Sequence, residues 1–169
     1  MPESESAFLA LYYGHRTALF RFAWRLTGST AAAEDITQEC FLSLLQGRGF
    51  DADRGSPRAY LFGITRHLAL KRLRVVDREV DEPEDAGSSA GQLDEVLSAE
   101  RSEIVARAVS ALPPLQREAL ILFEYEDLSL EEIAQATGIE TGAVKARLHR
   151  ARETMRRQLA PLMETRRCS

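Results

Sequence analysis

Apolar residues along this chain recur at spacings of three and four, and no stretch alternates apolar with polar as a half-buried strand must. Phe8, Leu11, Tyr12, His15, Leu19, Phe22, Ala23 and Leu26 trace one helical stripe, and Ile36, Cys40, Phe41, Leu44 and Leu45 trace a second. Tyr60, Leu61, Ile64, Leu68 and Leu73 trace a third. This pattern confines the fold to the all-α class. Gly28-Ser29-Thr30 ends the first helix and supplies a cap for the next. Gly47 to Pro57 is dense in turn formers and reads as a loop. Ser56 can cap the third helix, with Pro57 at the first helical position, where a missing amide hydrogen costs nothing. Trp24, on the first helix, is expected in the core.

The periodicity breaks once. Asp77 to Gly91 is acidic and rich in small residues, a composition that cannot bury a core and suits a flexible tether. Helical spacing resumes near Leu93 and runs through Ile104, Val105, Ala108, Val109 and Leu112 until Pro113-Pro114 stops it. Leu115, Ala119, Leu120, Leu122 and Phe123 mark another helix, and two more short helices and a long basic tail helix are expected after it. The expectation is two small helical domains, residues 1–76 and 93–169, joined by an acidic linker over 77–92. Periodicity leaves open whether the two domains pack together.

Net charge is −4, which at first argues against a nucleic-acid partner. The charge is unevenly spread, however. Residues 51–80 carry net +3 and residues 140–169 net +5, whereas 81–104 carry −7 and 105–139 carry −4. A polyanion responds to the field within a Debye length of roughly 8–10 Å, so the two basic segments matter more than the total.

Other classes find little support. The N-terminus Met1-Pro2-Glu3-Ser4-Glu5 is acidic where a signal peptide is basic, and no apolar run approaches the roughly 20 residues of a membrane span. Cys40 and Cys168 are the only cysteines, far apart, and His15, His67 and His149 do not cluster with acids. No metal, cofactor, phosphate-cradling glycine loop or nucleophile–base pair is expected. A cytoplasmic, non-enzymatic protein without membrane insertion is the reading.

The stretch Leu128 to Arg152 says more. Ser129 with Glu132 three residues on is a capping box that opens a helix. Ile133 and Ala134 face inward, and Gly138 supplies the positive φ that the following turn needs. Ile139, Val144 and Leu148 then pin a second helix on the first. This is helix-turn-helix spacing, which presents the second helix to a DNA major groove. With Val144, Leu148, Ala151 and Met155 inward, the opposite face shows Thr141, Gly142, Lys145, Ala146, His149, Arg150 and Arg152. Such side chains serve phosphates and base edges, although His149 alone reads equally as a surface histidine.

Two separated blocks resemble the sigma-70 family of RNA polymerase initiation factors, of the small extracytoplasmic-function type. Ala33-Glu34-Asp35-Ile36-Thr37-Gln38-Glu39-Cys40-Phe41 resembles region 2.2 of that family. Tyr60-Leu61-Phe62-Gly63-Ile64-Thr65-Arg66-His67, continuing to Lys71-Arg72-Leu73-Arg74, resembles regions 2.3 and 2.4. Leu112-Pro113-Pro114-Leu115-Gln116-Arg117-Glu118-Ala119 is similar to the opening of region 4, and Leu130 through Arg152 to region 4.2. Tyr60, His67 and Ala146 depart from the usual residues of these motifs, which puts the promoter preference beyond inference. With no long extension after region 4, a C-terminal extra domain is not expected.

The resemblance implies a factor that binds core RNA polymerase and directs it to promoters. Asp35, Gln38, Glu39 and Phe41 would dock on the polymerase. Phe50, Arg54, Arg58, Tyr60, Arg66, His67, Lys71, Arg72 and Arg74 would hold the non-template strand of the −10 element, where stacking is worth about 1–3 kcal/mol per base; Phe50 and Tyr60 read equally as core residues. Thr141, Lys145, Ala146, Arg147, His149, Arg150 and Arg152 would engage the −35 duplex. The acidic linker would imitate nucleic-acid charge in a basic channel of the polymerase, or act only as a tether. An anti-sigma factor is an expected partner. Two alternatives remain: a sigma-like decoy for an anti-sigma factor, which should lack the basic face around Lys145 and Arg150, and a lone helix-turn-helix regulator, which leaves Ala33–Phe41 unexplained.

Overall fold

The computed structural model describes residues 2–46, 55–79 and 96–164. Phe50, Arg54, Cys168 and most of the acidic linker lie outside the described residues. Among those described, regular structure is entirely helical: α1 (Pro2–Thr27), α2 (Thr30–Leu45), α3 (Pro57–Glu79), α4 (Val96–Ser110), α5 (Pro114–Leu120), α6 (Leu130–Thr137) and α7 (Thr141–Glu164).

The first three helices pack on one another. Leu19, Phe22, Ala23 and Leu26 of α1 are buried against Ile36 and Cys40 of α2 and Leu61 and Phe62 of α3. The Phe22 and Phe62 rings meet edge to face at 5.3 Å, a geometry that ring quadrupoles favour. Local chemistry places the ends. Gly28 takes a φ of 70° and donates its N–H to the Trp24 carbonyl at 2.7 Å. Ser29 Oγ accepts the Ala32 N–H at 3.2 Å, and Ser56 Oγ accepts the Ala59 N–H at 3.0 Å, so both serines cap their helices.

Two sequence expectations for this unit need correcting. Trp24 is not a core residue; it is 40% exposed. The buried surface of α3 is broader than the stripe read from periodicity: Ala59, Phe62, Thr65 and Ala69 are buried, whereas Tyr60, Ile64 and Leu68 are only partly so. The cause is that α3 is covered from two sides, by α1 and α2 on one and by α6 on another.

In the second unit Pro114 begins α5, which continues into a π-turn over Ile121–Tyr125. Its wider loop closes with the Glu126 N–H on the Ile121 carbonyl at 3.1 Å. The Ser129–Glu132 capping box forms as the spacing predicts, and Gly138 sits at φ 73° between α6 and α7. Val144, Leu148 and Ala151 are buried, holding α7 on the preceding helices. The expected pair, a short recognition helix and a separate tail helix, is a single α7 of 24 residues. Nothing after Gly142 breaks helical propensity until Pro161, so the helix runs on through the tail.

The two units pack into one continuous apolar core. The closest approach is α3 on α6, where Gly63 lies against the backbone of Ala136; a Cβ at that glycine would stand 3.2 Å from the Ala136 carbonyl oxygen. Glycine permits the crossing because it has no Cβ to occupy that space.

Candidate nucleic-acid interface

The helix-turn-helix positions its outer face as the spacing predicts. Lys145, His149 and Arg150 are exposed on α7, with Gly142 beside them and Thr141 and Ala146 half-buried at the edge. His149 Nε2 lies 3.2 Å from Glu153 Oε1, one turn on, and Arg152 Nη2 lies 3.0 Å from Glu124 Oε1. Lys145 and Arg150 carry no ion pair among the described residues.

Arg147 is different. It turns inward, its Nη1 lying 3.5 Å from Oε1 of Glu118, a carboxylate with no solvent exposure. The second oxygen of Glu118 accepts a hydrogen bond from Arg66 Nε at 2.7 Å. Arg66 belongs to α3 and Arg147 to α7, so one buried acid joins a residue expected at the −10 strand to one expected at the −35 duplex. Burying a carboxylate is costly unless it is paired and hydrogen-bonded, and here both arginines meet that need.

A second junction lies one side-chain layer away. Arg58 grips Glu132 with both prongs, Nη2 to Oε1 at 2.6 Å and Nε to Oε2 at 3.1 Å. Ser56 donates its hydroxyl to Oε2 of the same carboxylate at 2.9 Å, and the Ser56 N–H donates to Gln135 Oε1 at 3.2 Å. The arginine hydrogen bonds pull the Glu132 carboxyl down to about 2 and raise the Arg58 guanidinium in turn. Burial, with the Arg58 charge nearby, holds His15 below the ordinary imidazole value. A third junction sets Arg21 and Arg25 of α1 on Glu126 at 3.2 and 3.5 Å, with Arg25 also 4.3 Å over the Tyr125 ring.

These junctions share a sign. In every ion pair between the units, among the described residues, the first unit supplies the cation and the second the carboxylate. The +3 of residues 51–80 and the −4 of residues 105–139 face one another. Sequence reasoning assigned the acids to outside partners and missed the roles of Glu118, Glu126 and Glu132. The signal was present in the opposite charge of two helical blocks.

The remaining α3 candidates stay outside these pairs. His67, Lys71 and Arg74 are exposed, and Arg72 Nη1 lies 3.6 Å from Asp35 Oδ2 on α2. A groove between α2, α3 and α6 brings Glu39, Tyr60, His67 and Lys71 together, with Gln135 of the second unit forming part of its wall. Asp35, Gln38 and Glu39 are exposed on α2, as a docking face requires. Phe41 does not join them: it is buried to 4% exposure and packs edge to face on Tyr12 and Phe8, at 5.0 and 6.1 Å. Its position on α2 points into the bundle, so it supports that face from beneath.

Comparison with known proteins agrees in both halves. The profile of Sigma-70 region 2 matches residues 11–79, and that of Sigma-70, region 4 matches residues 102–155. The chain is 35% identical over 161 residues to the ECF RNA polymerase sigma factor SigL of Mycobacterium tuberculosis, covering 93% of this chain and 91% of the relative. It is 30% identical over 172 residues to the ECF RNA polymerase sigma factor SigW of Bacillus subtilis, covering 94% and 91%. Among solved structures, the sigma factor RpoE of Bartonella quintana, in complex with the anti-sigma factor NepR, superposes with a TM-score of 0.70 at 24% identity over 95% of this chain and 98% of that one. CnrH, in complex with the cytosolic domain of CnrY, gives 0.67 at 25% identity over 93% and 90%.

Proposed function

The chain belongs to the extracytoplasmic-function group of the sigma-70 family, and from that premise we propose which of its surfaces serve transcription initiation. It is a transcription initiation factor that directs core RNA polymerase to promoter DNA. Sigma factors are non-enzymatic: this one contributes binding free energy, and bond-making chemistry is left to the polymerase. It works in the cytoplasm, where polymerase meets promoter DNA. Among the described residues no helix is long and apolar enough to cross a membrane.

In this reading residues 1–76 hold polymerase and the −10 element, 93–169 hold the −35 element, and 77–92 connect them. Asp35, Gln38 and Glu39 dock on a basic surface of the polymerase. The α3 side chains Arg58, Tyr60, Arg66, His67, Lys71, Arg72 and Arg74, with Phe50 and Arg54 before them, take the non-template strand. Unstacking a base costs a few kcal/mol, which aromatic stacking and phosphate contacts must offset. Lys145, His149 and Arg150 read the −35 duplex, while Thr141 and Arg152 meet phosphates. An anti-sigma factor is its regulatory partner, as NepR is the partner seen with RpoE and CnrY with CnrH.

The observation that carries this reading is the exposed Lys145–His149–Arg150 face behind a glycine-turned helix pair. A decoy that bound only an anti-sigma factor would have no use for it. Run-off transcription on genomic fragments, with core polymerase alone and with this chain added, tests the whole. New transcript starts on addition are the expected outcome, and their absence overturns it.

A further inference from the structure

We propose that the free chain masks itself: carboxylates of its second unit occupy the arginines of its first unit, so the two must separate before those arginines can meet DNA phosphates. Four arginines, Arg21, Arg25, Arg58 and Arg66, end on three acids, Glu126, Glu132 and Glu118. Arg58 and Arg66 are the α3 cations that the proposed function assigns to the −10 strand, and the inference rests on that reading for what the masking prevents.

The geometry favours a switchable latch over a permanent interface. Carboxylate oxygens held by a guanidinium fork reproduce the bidentate pattern of a phosphate, so DNA competes for the same donors with the same chemistry. Ser56 and Arg58 converge on Glu132 as a hydroxyl and a guanidinium would converge on a phosphate oxygen. Gln135 walls the groove in which Tyr60, His67 and Lys71 lie, covering the part of α3 that a single strand would follow. At the centre of the contact the closure depends on one small residue, Gly63 against Ala136. The second unit thereby covers the first with the charge pattern of the ligand it excludes.

Two variants open the latch by unrelated means. Gly63→Leu wedges α3 from α6 without altering charge, since the nearest atoms a side chain there would meet are those of Ala136. The triple variant E118Q/E126Q/E132Q removes the carboxylates, and the amide introduced by E132Q can still close the capping box. A charge-matched control, E5Q/E103Q/E140Q, neutralises three exposed acids elsewhere. Small-angle X-ray scattering reads the radius of gyration, and fluorescence anisotropy reads binding of a fluorescein-labelled single strand of about 20 nucleotides across a salt series.

Both opening variants should expand relative to wild type and bind the oligonucleotide on the order of tenfold tighter, with a log–log salt slope steeper by about 2, as roughly three freed cations would give on single strands. The control should follow wild type in size and fall well short of the triple variant in affinity. The proposal is overturned if wild type is already as expanded as the variants, if expanded variants bind with wild-type affinity and slope, or if the control matches the triple variant. Helicity by circular dichroism verifies folding, and if Gly63→Leu does not fold the triple variant and its control decide alone. Failure of run-off transcription would sink the proposed function while leaving the scattering and anisotropy results to decide the latch.

Discussion

Arg66 on α3 donates its Nε–H to Glu118 at the start of the second unit, at 2.7 Å across 52 positions of sequence. The carboxylate has no solvent exposure, and its other oxygen faces Arg147. A single buried charge thus makes the two helical units answer to each other, and most consequences of substitution depend on whether a residue belongs to that contact.

Removing Glu118 leaves two largely buried guanidinium groups without a counter-charge. Glu118→Ala should cost about 3–5 kcal/mol, the penalty of breaking one side of a buried pair. Glu124→Ala, which breaks the half-exposed pair with Arg152, should cost about 0–1 kcal/mol. Urea unfolding of both variants checks this; equal midpoints would remove Glu118 from its structural role.

Glu132 titrates well below its ordinary value of 4.5, at about 2, because Arg58 hydrogen-bonds its ionised form. A depressed carboxylate stabilises the fold fully above its unfolded value and loses that contribution as pH falls toward its folded one. Stability due to Glu132 should therefore hold near neutrality and fall between about pH 4.5 and 2. Glu132→Gln should flatten that limb of the stability curve relative to wild type, as thermal melts in matched buffers would show. Unchanged limbs would place the titration elsewhere.

Gly138 turns α6 into α7 at φ 73°, where a Cβ is crowded by the backbone. Gly138→Val should destabilise by about 1–2 kcal/mol and loosen the orientation of α7, lowering affinity for a −35 duplex. Gly142→Ala, in open space within the helix, should leave the melting temperature unchanged or raised. Paired melts and duplex titrations separate the two sites.

Lys145 and Arg150 are exposed on the outer face of α7. A variant that loses a base contact should weaken the preferred duplex by about 1–3 kcal/mol and relax specificity at one position. A variant that loses a phosphate contact should weaken all duplexes alike and reduce the salt slope by about 0.9. Lys145→Ala and Arg150→Ala, titrated on specific and scrambled duplexes at several salt concentrations, assign each side chain to one class.

Asp35 and Glu39 are exposed on α2, and Asp35 meets Arg72 at the surface. Asp35→Lys with Glu39→Lys should weaken binding to core polymerase while far-ultraviolet circular dichroism stays that of wild type. Unaltered affinity in a titration with core enzyme would remove these acids from the docking face.

What the chain's sequence reveals and hides has a physical basis. Helix starts at Ser29, Ser56 and Ser129 and the αL turn at Gly138 arise from local hydrogen bonding and sterics, so spacing alone locates them. The outer face of α7 is set by the inward residues Val144, Leu148 and Ala151 through helical geometry. Periodicity could not show that Arg58, Arg66 and Arg147 are engaged, because each partner lies 29 to 74 positions away. Phe41 misled for a related reason: it adjoins exposed acids in sequence, and its aromatic contacts come from α1. Charge-block complementarity was the one long-range signal in the sequence, and it concerned this chain's own two halves.

The π-turn at Ile121–Tyr125 makes segment length a constraint in its own right. Deleting any one of its residues would restore ordinary helical winding and swing the downstream chain by about 100° around the axis. Glu126 would then turn away from Arg21 and Arg25, although every residue of the contact remained in the chain. Register here is kept by counting, so a single-residue deletion between 121 and 125 should be more disruptive than most substitutions there.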